Sequence, residues 1–232
     1  MRIRTLLTFF MVICSNLLAQ TFSVTKGSVE CLLAENTAIY LAEHWTSSKF
    51  LENGLKLKLV EPYELNTIGN SSRLLLKFSN NMQVYSDGKT SLLVDNFEQF
   101  IEKDGTKNIY DFVGNFRLKG KAEFILEKLT DLGFFSVQTS GADLEIKSTH
   151  FYIMTDGNST VVECYEGQIT FTDSVTFKST TLNSGNYAEV YGTDGEKNTI
   201  IKIYPLADIN KNKITDRSLE RKKLLAAVSS KP

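Results

Sequence analysis

The sequence predicts an all-β protein made of two antiparallel sheets, arranged as a sandwich or a flattened β-roll, with a short C-terminal helix. Apolar and polar residues alternate with a period of two in many short runs, which is the pattern of strands with one buried face. Glycine-containing turns separate those runs at intervals of about 8–12 residues, as is typical of sandwiches, barrels and rolls. The glycines of these predicted turns are Gly54, Gly88, Gly141, Gly157, Gly167, Gly185 and Gly195. Residues 134–190 show both features most densely and contain no run with a helical period.

The composition is that of an ordinary folded protein. Of the 232 residues, 42% are hydrophobic and 23% are charged, so there is enough apolar material for one large domain or two small ones. The 26 basic and 27 acidic side chains nearly cancel. Without a basic excess to attract phosphates, the sequence predicts no binding to nucleic acid.

The first 19 residues are interpreted as a cleaved signal peptide. Arg2 and Arg4 form a short positive region, and Leu6–Ile13 is an apolar run of the length that such a peptide needs. The small residue Ala19 favours cleavage between residues 19 and 20. We therefore expect a periplasmic or secreted protein.

Two other interpretations of the N-terminus are weaker. Lipidation at Cys14 would need a small residue before it, and Ile13 is large. A retained anchor would need roughly 20 apolar residues to span a bilayer. We therefore expect no membrane span after signal cleavage.

The first half of the mature chain reads as a series of short strands. Val29, Cys31 and Leu33 alternate with polar neighbours, and Leu55–Leu59 is an amphipathic strand after a turn at 52–54. Residues 36–49 show no clear pattern, and residues 65–72 read as a turn. Further strands are predicted at Arg73–Phe78, Met82–Tyr85 and Ser91–Phe97.

The middle of the chain, residues 98–128, is ambiguous because it carries more charge. Residues 121–129 contain good helix formers. Phe124 and Leu126, however, alternate with Ile125 and Glu127. We favour a strand here in an otherwise all-β chain, with a helix as the alternative.

The dense block 134–190 supplies most of the remaining predicted strands, and Ile201–Tyr204 is the last one. In one of them, either Val161 or the pair Val162 and Cys164 faces the core. After Pro205 the pattern changes, and residues 206–232 read as a tail with a short helix over 219–228, capped by Thr215 or Asp216. That helix is too short to be stable alone, so it must dock on the β body or fray. The other pairs expected to share a face are Phe135 and Val137, Leu144 and Ile146, Phe151 and Ile153, Ile169 and Phe171, and Val175 and Phe177.

Two cysteines, Cys31 and Cys164, remain in the mature chain. In an oxidising compartment they could form a disulfide. Free cysteine is among the most buried residue types, and both lie in strand-like runs. Two buried free thiols are therefore the favoured interpretation, and pairing stays open.

Several segments of the chain together form a recognisable pattern. They are Phe135–Thr139, Ile146–Phe151, Glu166–Ile169 and Leu182–Asn186, with looser matches at Lys26–Val29 and Leu65–Phe78. These segments resemble the FecR domain, which is found on the periplasmic side of bacterial iron-siderophore signalling regulators. The resemblance implies an exported β domain, here residues 20–205, and its most specific part is 134–190.

The sequence departs from the family pattern at two positions. Ser148 stands where the family usually has glycine, and Asn186 where it often has glutamine. We expect no cytoplasmic anti-sigma segment, so only the β domain is implied.

The sequence contains no recognisable catalytic or metal-binding set, so we expect no enzyme activity and no cofactor. His44 and His150 lack the spacing of a metal pair. His150 is expected on the solvent side, opposite Phe151. A dyad of His44 with Cys31, or of His150 with Cys164, is disfavoured but not eliminated by the sequence.

One stretch near the C-terminus superficially has the pattern of a calcium loop, with oxygen-bearing side chains at alternate positions in residues 208–216. Lys213 replaces the turn glycine, and Leu219 replaces the bidentate glutamate. We interpret this stretch as a solvated turn with a helix cap. The sequons Asn70–Ser72 and Asn158–Thr160 are likewise interpreted as turns.

These observations favour a non-catalytic, exported, FecR-like protein that acts by contact with another protein of the cell envelope, in signalling or as a scaffold. Pairing of a strand edge with that partner is the expected mechanism. The alternative is a module that binds carbohydrate or a surface polymer, with Trp45 and exposed tyrosines as stacking groups. The partner and the oligomeric state are not specified by the sequence.

Overall fold

The computed structural model describes residues 23–41, 48–104, 107–126, 133–147, 150–156, 159–172, 179–192 and 199–206. Eighteen β-strands account for most of these residues. They are β1 (Ser23–Lys26), β2 (Ser28–Ala34), β3 (Thr37–Leu41), β4 (Ser48–Phe50), β5 (Lys56–Lys58), β6 (Tyr63–Thr67), β7 (Arg73–Phe78), β8 (Gln83–Asp87), β9 (Thr90–Asp104), β10 (Lys107–Ile125), β11 (Phe134–Gln138), β12 (Asp143–Ile146), β13 (His150–Thr155), β14 (Ser159–Glu166), β15 (Gln168–Thr172), β16 (Ser179–Asn183), β17 (Asn186–Gly192) and β18 (Thr199–Pro205).

The strands form two sheets that share β10. Sheet 1 has the order β4-β3-β6-β9-β10-β11-β12-β15-β16, and β1 pairs with the distal half of β9. Sheet 2 has the order β5-β2-β7-β8-β10-β13-β14-β17-β18. Among the described residues, the strand pairings branch at β10, and no series of pairings leads back to its first strand. The network of sheets is therefore open, and it is folded into two layers.

Strand β10 passes from one sheet into the other at Gly120. Residues 107–119 pair with β9 in sheet 1, and residues 120–125 pair with β13 in sheet 2. Gly120 has a φ of 99°, a conformation that favours glycine. Beside the bend, the hydroxyl of Thr90 donates to the carbonyl of Lys121 at 3.1 Å and accepts from its N–H at 3.2 Å. This crossing turns one strand network into two facing layers.

The core between the sheets is built around a row of phenylalanine rings. Phe116 in sheet 1 has its ring centroid 5.4 Å from that of Phe78 and 6.4 Å from that of Phe124, both in sheet 2. The ring centroid of Phe135 in sheet 1 lies 5.9 Å from that of Phe124 and 6.3 Å from that of Phe151, both in sheet 2. All five rings are at most 1% exposed. Their burial gives the two sheets a common core.

The predicted fold class is confirmed: the protein is all-β, with two facing layers and mostly antiparallel strands. The predicted glycine turns at Gly54, Gly88, Gly167 and Gly185 all have positive φ. Among the pairs expected to share a buried face, Val162 and Cys164 were the correct alternative to Val161, since both are fully buried. Of the remaining pairs, all lie in the core except the pair at 175 and 177, which lies outside the described residues.

Three details of the predicted fold need correction or completion. Residues 65–67 belong to strand β6, so the predicted turn is confined to 68–72. One pair, β10 with β11, is parallel, because the chain leaves β10 in sheet 2 and re-enters sheet 1 beside residues 113–117 of that strand. In the ambiguous middle, the strand alternative is correct through Ile125, and residues 127–129 lie outside the described part. The predicted signal peptide (1–19) and C-terminal helix (219–228) also lie outside it.

Candidate functional site

The catalytic dyad considered for sheet 2 does not form. The Cys164 side chain is fully buried in the inter-sheet core, where its thiol donates to the carbonyl of Gly167 at 3.5 Å. His150 lies on the opposite, outer face of the sheet, as expected. Its Nε2 is 2.6 Å from Oε1 of Glu123, and its ring meets Tyr165 edge-on at 4.5 Å. Since the thiol and the imidazole are separated by the sheet, they cannot act together.

The thiol of Cys31 is equally unsuited to act as a nucleophile. Cys31 is 2% exposed in strand β2, and burial raises its pKa to about 12. A thiol with such a pKa stays protonated at neutral pH and is a poor nucleophile. Both Cys31 and Cys164 are free, so the favoured interpretation of two buried thiols is confirmed. His44 and Trp45, which the sequence offered as a dyad partner and a stacking group, lie outside the described residues.

No group of three or more metal-ligating side chains comes together in the described ranges. The calcium-loop pattern at 208–216 lies beyond them. Within the same ranges, no helix has the length and apolarity to cross a membrane. Asn70 lies in the turn expected for its sequon, and Asn158 is not described.

The outer face of sheet 1 carries an open groove of about 320 Å³. Arg117 in this groove forms an ion pair with Asp95 at 2.8 Å, and the hydroxyl of Ser91 donates to Glu64 at 2.6 Å. Its lining residues are polar, charged or aliphatic: Glu64, Ser91, Leu93, Arg117, Leu118, Lys119, Gln138, Thr139 and Ser140. None of these lining residues offers the aromatic face on which a sugar ring stacks.

The strand edges differ in how far they are protected against pairing. Natural sheets protect an edge with short strands, lysine or proline. Strands β4 and β5 have three residues each and carry lysines, and β18 contains Lys202 and ends at Pro205. The edge strand β16 has the sequence Ser-Thr-Thr-Leu-Asn, with neither lysine nor proline. It is therefore the least protected edge in the described part of the chain.

The backbone of β16 presents hydrogen-bonding groups to this edge. The N–H of Ser184 donates to the carbonyl of Gly167 at 3.0 Å, in register with the β15–β16 ladder. Because antiparallel bonding alternates along a strand, Thr180 and Leu182 bond to β15. The N–H and C=O of Thr181 therefore point to the open side, where the described residues provide no further strand.

Comparison with known proteins bears on these features. Residues 65–170 match the model of the family described as FecR protein. The expected resemblance to the FecR family is thereby confirmed. The matched FecR segment runs from β6 into β15 and contains the β10 crossing. The wider limits of 20–205 stay a prediction.

Solved structures give a weaker likeness. Two crystal structures of a candidate anti-sigma factor from Parabacteroides distasonis, at 2.50 and 1.65 Å resolution, are 15% and 16% identical to the chain, with TM-scores of 0.46 and 0.44. The alignments cover 61% and 60% of this chain, and the chain spans only 59% and 58% of the matched structures. No curated protein matches the chain.

The residues that carry the FecR resemblance are mainly core residues. Phe135, Val137, Phe151 and Ile169 are all fully buried between the sheets. The resemblance therefore reflects the packing of the fold. Asn186, at the position where FecR domains often have glutamine, donates through its side-chain amide to the carbonyls of the preceding turn at 3.3 and 3.5 Å. Ser148, the other departure, lies outside the described residues.

Proposed function

We propose that this protein is a non-catalytic FecR-like component of the bacterial cell envelope that acts in signalling or as a scaffold, by pairing an edge strand with a protein partner. The observation that carries the proposal is the edge of β16, which has neither lysine nor proline, whereas the other edge strands in the described part of the chain carry one or the other. The FecR match supports a regulatory role, and the expected signal peptide supports the compartment. The separation of Cys164 from His150 across sheet 2 supports the absence of catalysis by that pair.

Strand addition at β16 would use backbone bonds for affinity and side-chain positions for specificity. Ser179 and Thr181 face outward on an exposed surface, whereas Leu182 is fully buried. A partner strand would bond to the N–H and C=O of Thr181 without disturbing the ladder to β15. A five-residue edge offers few bonds, each contributing about 0.5–1.5 kcal/mol net. We therefore expect a partner of moderate affinity that also contacts a neighbouring surface.

The test is affinity capture from envelope extracts with the intact protein and two variants at one position. Thr181→Pro removes the outward N–H and places a ring at the edge, while the bonds to β15 are kept. Thr181→Ala shortens the same side chain and keeps the N–H. We expect the alanine variant to retain the partner and the proline variant to bind at least about tenfold more weakly. Circular dichroism would confirm that both variants fold.

Two results would count against the proposal. One is that the unmodified protein recovers no partner under mild conditions. The other is that the proline and alanine variants bind a recovered partner equally well, which would place the contact elsewhere.

A further inference from the structure

The β16 edge and the strand beside it carry no charged side chain. Strands β15 and β16 have five residues each, and none of these residues is acidic or basic. Their outer face consists of short polar side chains that bond across the two strands. Gln168 donates to Asn183 at 2.8 Å, and the hydroxyls of Thr172 and Ser179 are 3.2 Å apart. This edge therefore offers no charge by which a partner of opposite sign could be selected.

The other edge strands of the described part are poorly suited to pair with a copy of themselves. Strand β5 has the sequence Lys-Leu-Lys, the central residue of β4 is Lys49, and β18 contains Lys202. Pairing two copies of such a strand brings like charges close together, which destabilises the pair. Strand β16 lacks this protection, so a second copy of the chain can approach it without charge repulsion.

The backbone of β16 limits how a second copy can pair with it. Thr180 and Leu182 bond to β15, so the outward N–H and C=O groups are those of Ser179, Thr181 and Asn183. Two residues of an antiparallel pair exchange hydrogen bonds only when both direct these groups to the shared side. An outward residue of one copy must therefore lie opposite an outward residue of the other.

Only one antiparallel register that meets this condition pairs all five residues of both strands. It places Thr181 opposite Thr181 of the second copy, and Ser179 opposite Asn183. Three hydrogen-bonded pairs with two bonds each then give about six backbone hydrogen bonds. The carbonyl of Asn183 also accepts from the side-chain amide of Asn186 at 3.3 Å, and its second lone pair is sufficient for the new bond.

The same register is suitable for the side chains. Leu182 is fully buried and Thr180 is half-buried on the core side of sheet 1. These two residues lie opposite each other in the paired copies, so the buried faces of both copies are on one side. On the outer face, the hydroxyl of Thr181 can both donate and accept, so it can bond to the identical group of the second copy.

We propose that the protein forms a two-fold symmetric dimer in which β16 pairs antiparallel with β16 of a second copy, centred on Thr181. This inference rests on the proposed function, because it names the partner of the same edge. Sheet 1 then continues across the two-fold axis as one sheet shared by both copies. Since the contact occupies the unprotected edge of each copy, the assembly closes at two chains.

Sedimentation equilibrium of the purified, intact protein tests the dimer. We expect the unmodified protein and Thr181→Ala to dimerise with dissociation constants within about threefold of each other, because both keep the central N–H. Thr181→Pro should dimerise at least about tenfold more weakly. Circular dichroism checks that the proline variant folds. An unmodified protein that is monomeric at about 100 μM, or a dimer equally stable in the two variants, would overturn the proposal.

Cysteine cross-linking tests the register independently of affinity. In the dimer, Thr181 and its copy have Cα atoms about 5.5 Å apart, which is within the range of a disulfide. Ser179 and its copy are offset by four residues, or roughly 14 Å. Under mild oxidation we expect Thr181→Cys to form a covalent dimer. Ser179→Cys should stay at the background of the unmodified protein, in which Cys31 and Cys164 are buried.

The yields at the two positions decide whether the register is correct. If Thr181→Cys gives no more covalent dimer than Ser179→Cys, the pairing centred on Thr181 is wrong.

The dimer and the proposed function can fail separately. A purified protein that is monomeric, but that still captures an envelope protein through the N–H of Thr181, would overturn the second copy and leave edge pairing in place. A dimer that depends on Thr181, together with capture of no other envelope protein, would support the second copy and count against a different partner at this edge.

Discussion

Replacing Gly120 with alanine is expected to destabilise the protein far more than the same replacement at Gly185. Both glycines have positive φ, 99° and 78°. A Cβ on Gly120 would lie 2.5 Å from the carbonyl oxygen of Lys89 and 2.8 Å from Cα of Thr90, whereas a Cβ on Gly185 would meet nothing within 4 Å. The clashing atoms at Gly120 are backbone, so β9 would have to move where β10 crosses between the sheets.

Two contributions set the expected losses of unfolding free energy: the positive φ at both sites and the clash with backbone at Gly120. Positive φ costs a residue with a Cβ about 1–2 kcal/mol at either site. Overpacking against backbone at Gly120 adds about 1–3 kcal/mol. We expect the free energy of unfolding to fall by about 1 kcal/mol in the Gly185→Ala variant and by about 3–4 kcal/mol in the Gly120→Ala variant. For a chain of this size, those losses lower the unfolding midpoint by about 2–4 °C and 6–16 °C respectively.

Thermal unfolding followed by circular dichroism, with urea unfolding as a second measurement, checks this prediction. Equal losses at Gly120 and Gly185 would refute the reasoning, because the conformational cost would then explain both. A larger loss at Gly185 would refute it more strongly.

Three further predictions concern charge, thiol reactivity and the core. The Arg73 guanidinium donates hydrogen bonds to Glu35 and lowers the pKa of that carboxyl. The contribution of this pair to folding stability is present above the unfolded pKa of ~4.3 and is lost as the pH falls through the lower folded pKa. Since both side chains are about a third exposed, Glu35→Gln should cost about 0.5–1 kcal/mol at pH 7 in urea unfolding and nearly nothing at about pH 2; an equal cost at both pH values would contradict this. Cys31 should not react with a thiol reagent at about pH 8 in the folded protein and should react fully in denaturant; fast reaction of the folded protein would show that the site is open. Phe116→Ala should cost about 3–5 kcal/mol, whereas Phe134→Ala, at a side chain that is 42% exposed, should cost less than about 1 kcal/mol; similar losses by thermal unfolding would argue against the aromatic core.

Local patterns in the sequence were sufficient to predict many of the turns and buried strand faces. The turn glycines at 54, 88, 167 and 185 could be predicted because positive φ is a property of one residue and its neighbours. The alternation at Phe135 and Val137 predicted a buried face because a strand exposes its two faces at successive residues. The confirmed FecR resemblance rests on the same buried residues.

The candidate site was less accessible to prediction. An edge-pairing mechanism was expected, but which strand lies at an edge depends on the pairing of all the strands. Strand β16 became the candidate only once β15 was found on one side of it and no described strand on the other. The burial of Glu123 and Glu163 was also missed, because in an alternating strand a glutamate normally predicts the solvent face.

The sequence by itself determined the class of the protein: an all-β chain with glycine turns, a FecR-like core pattern and a period-two assignment of inner and outer residues. Each of these depends on interactions between residues that are close in the chain. Only the tertiary structure decided that β10 pairs in parallel with β11, that Gly120 carries one strand into both sheets, and that Glu123 and Glu163 are buried. These features depend on contacts between residues far apart in sequence, and local propensity contains no information about which distant strand or segment will cover a given face.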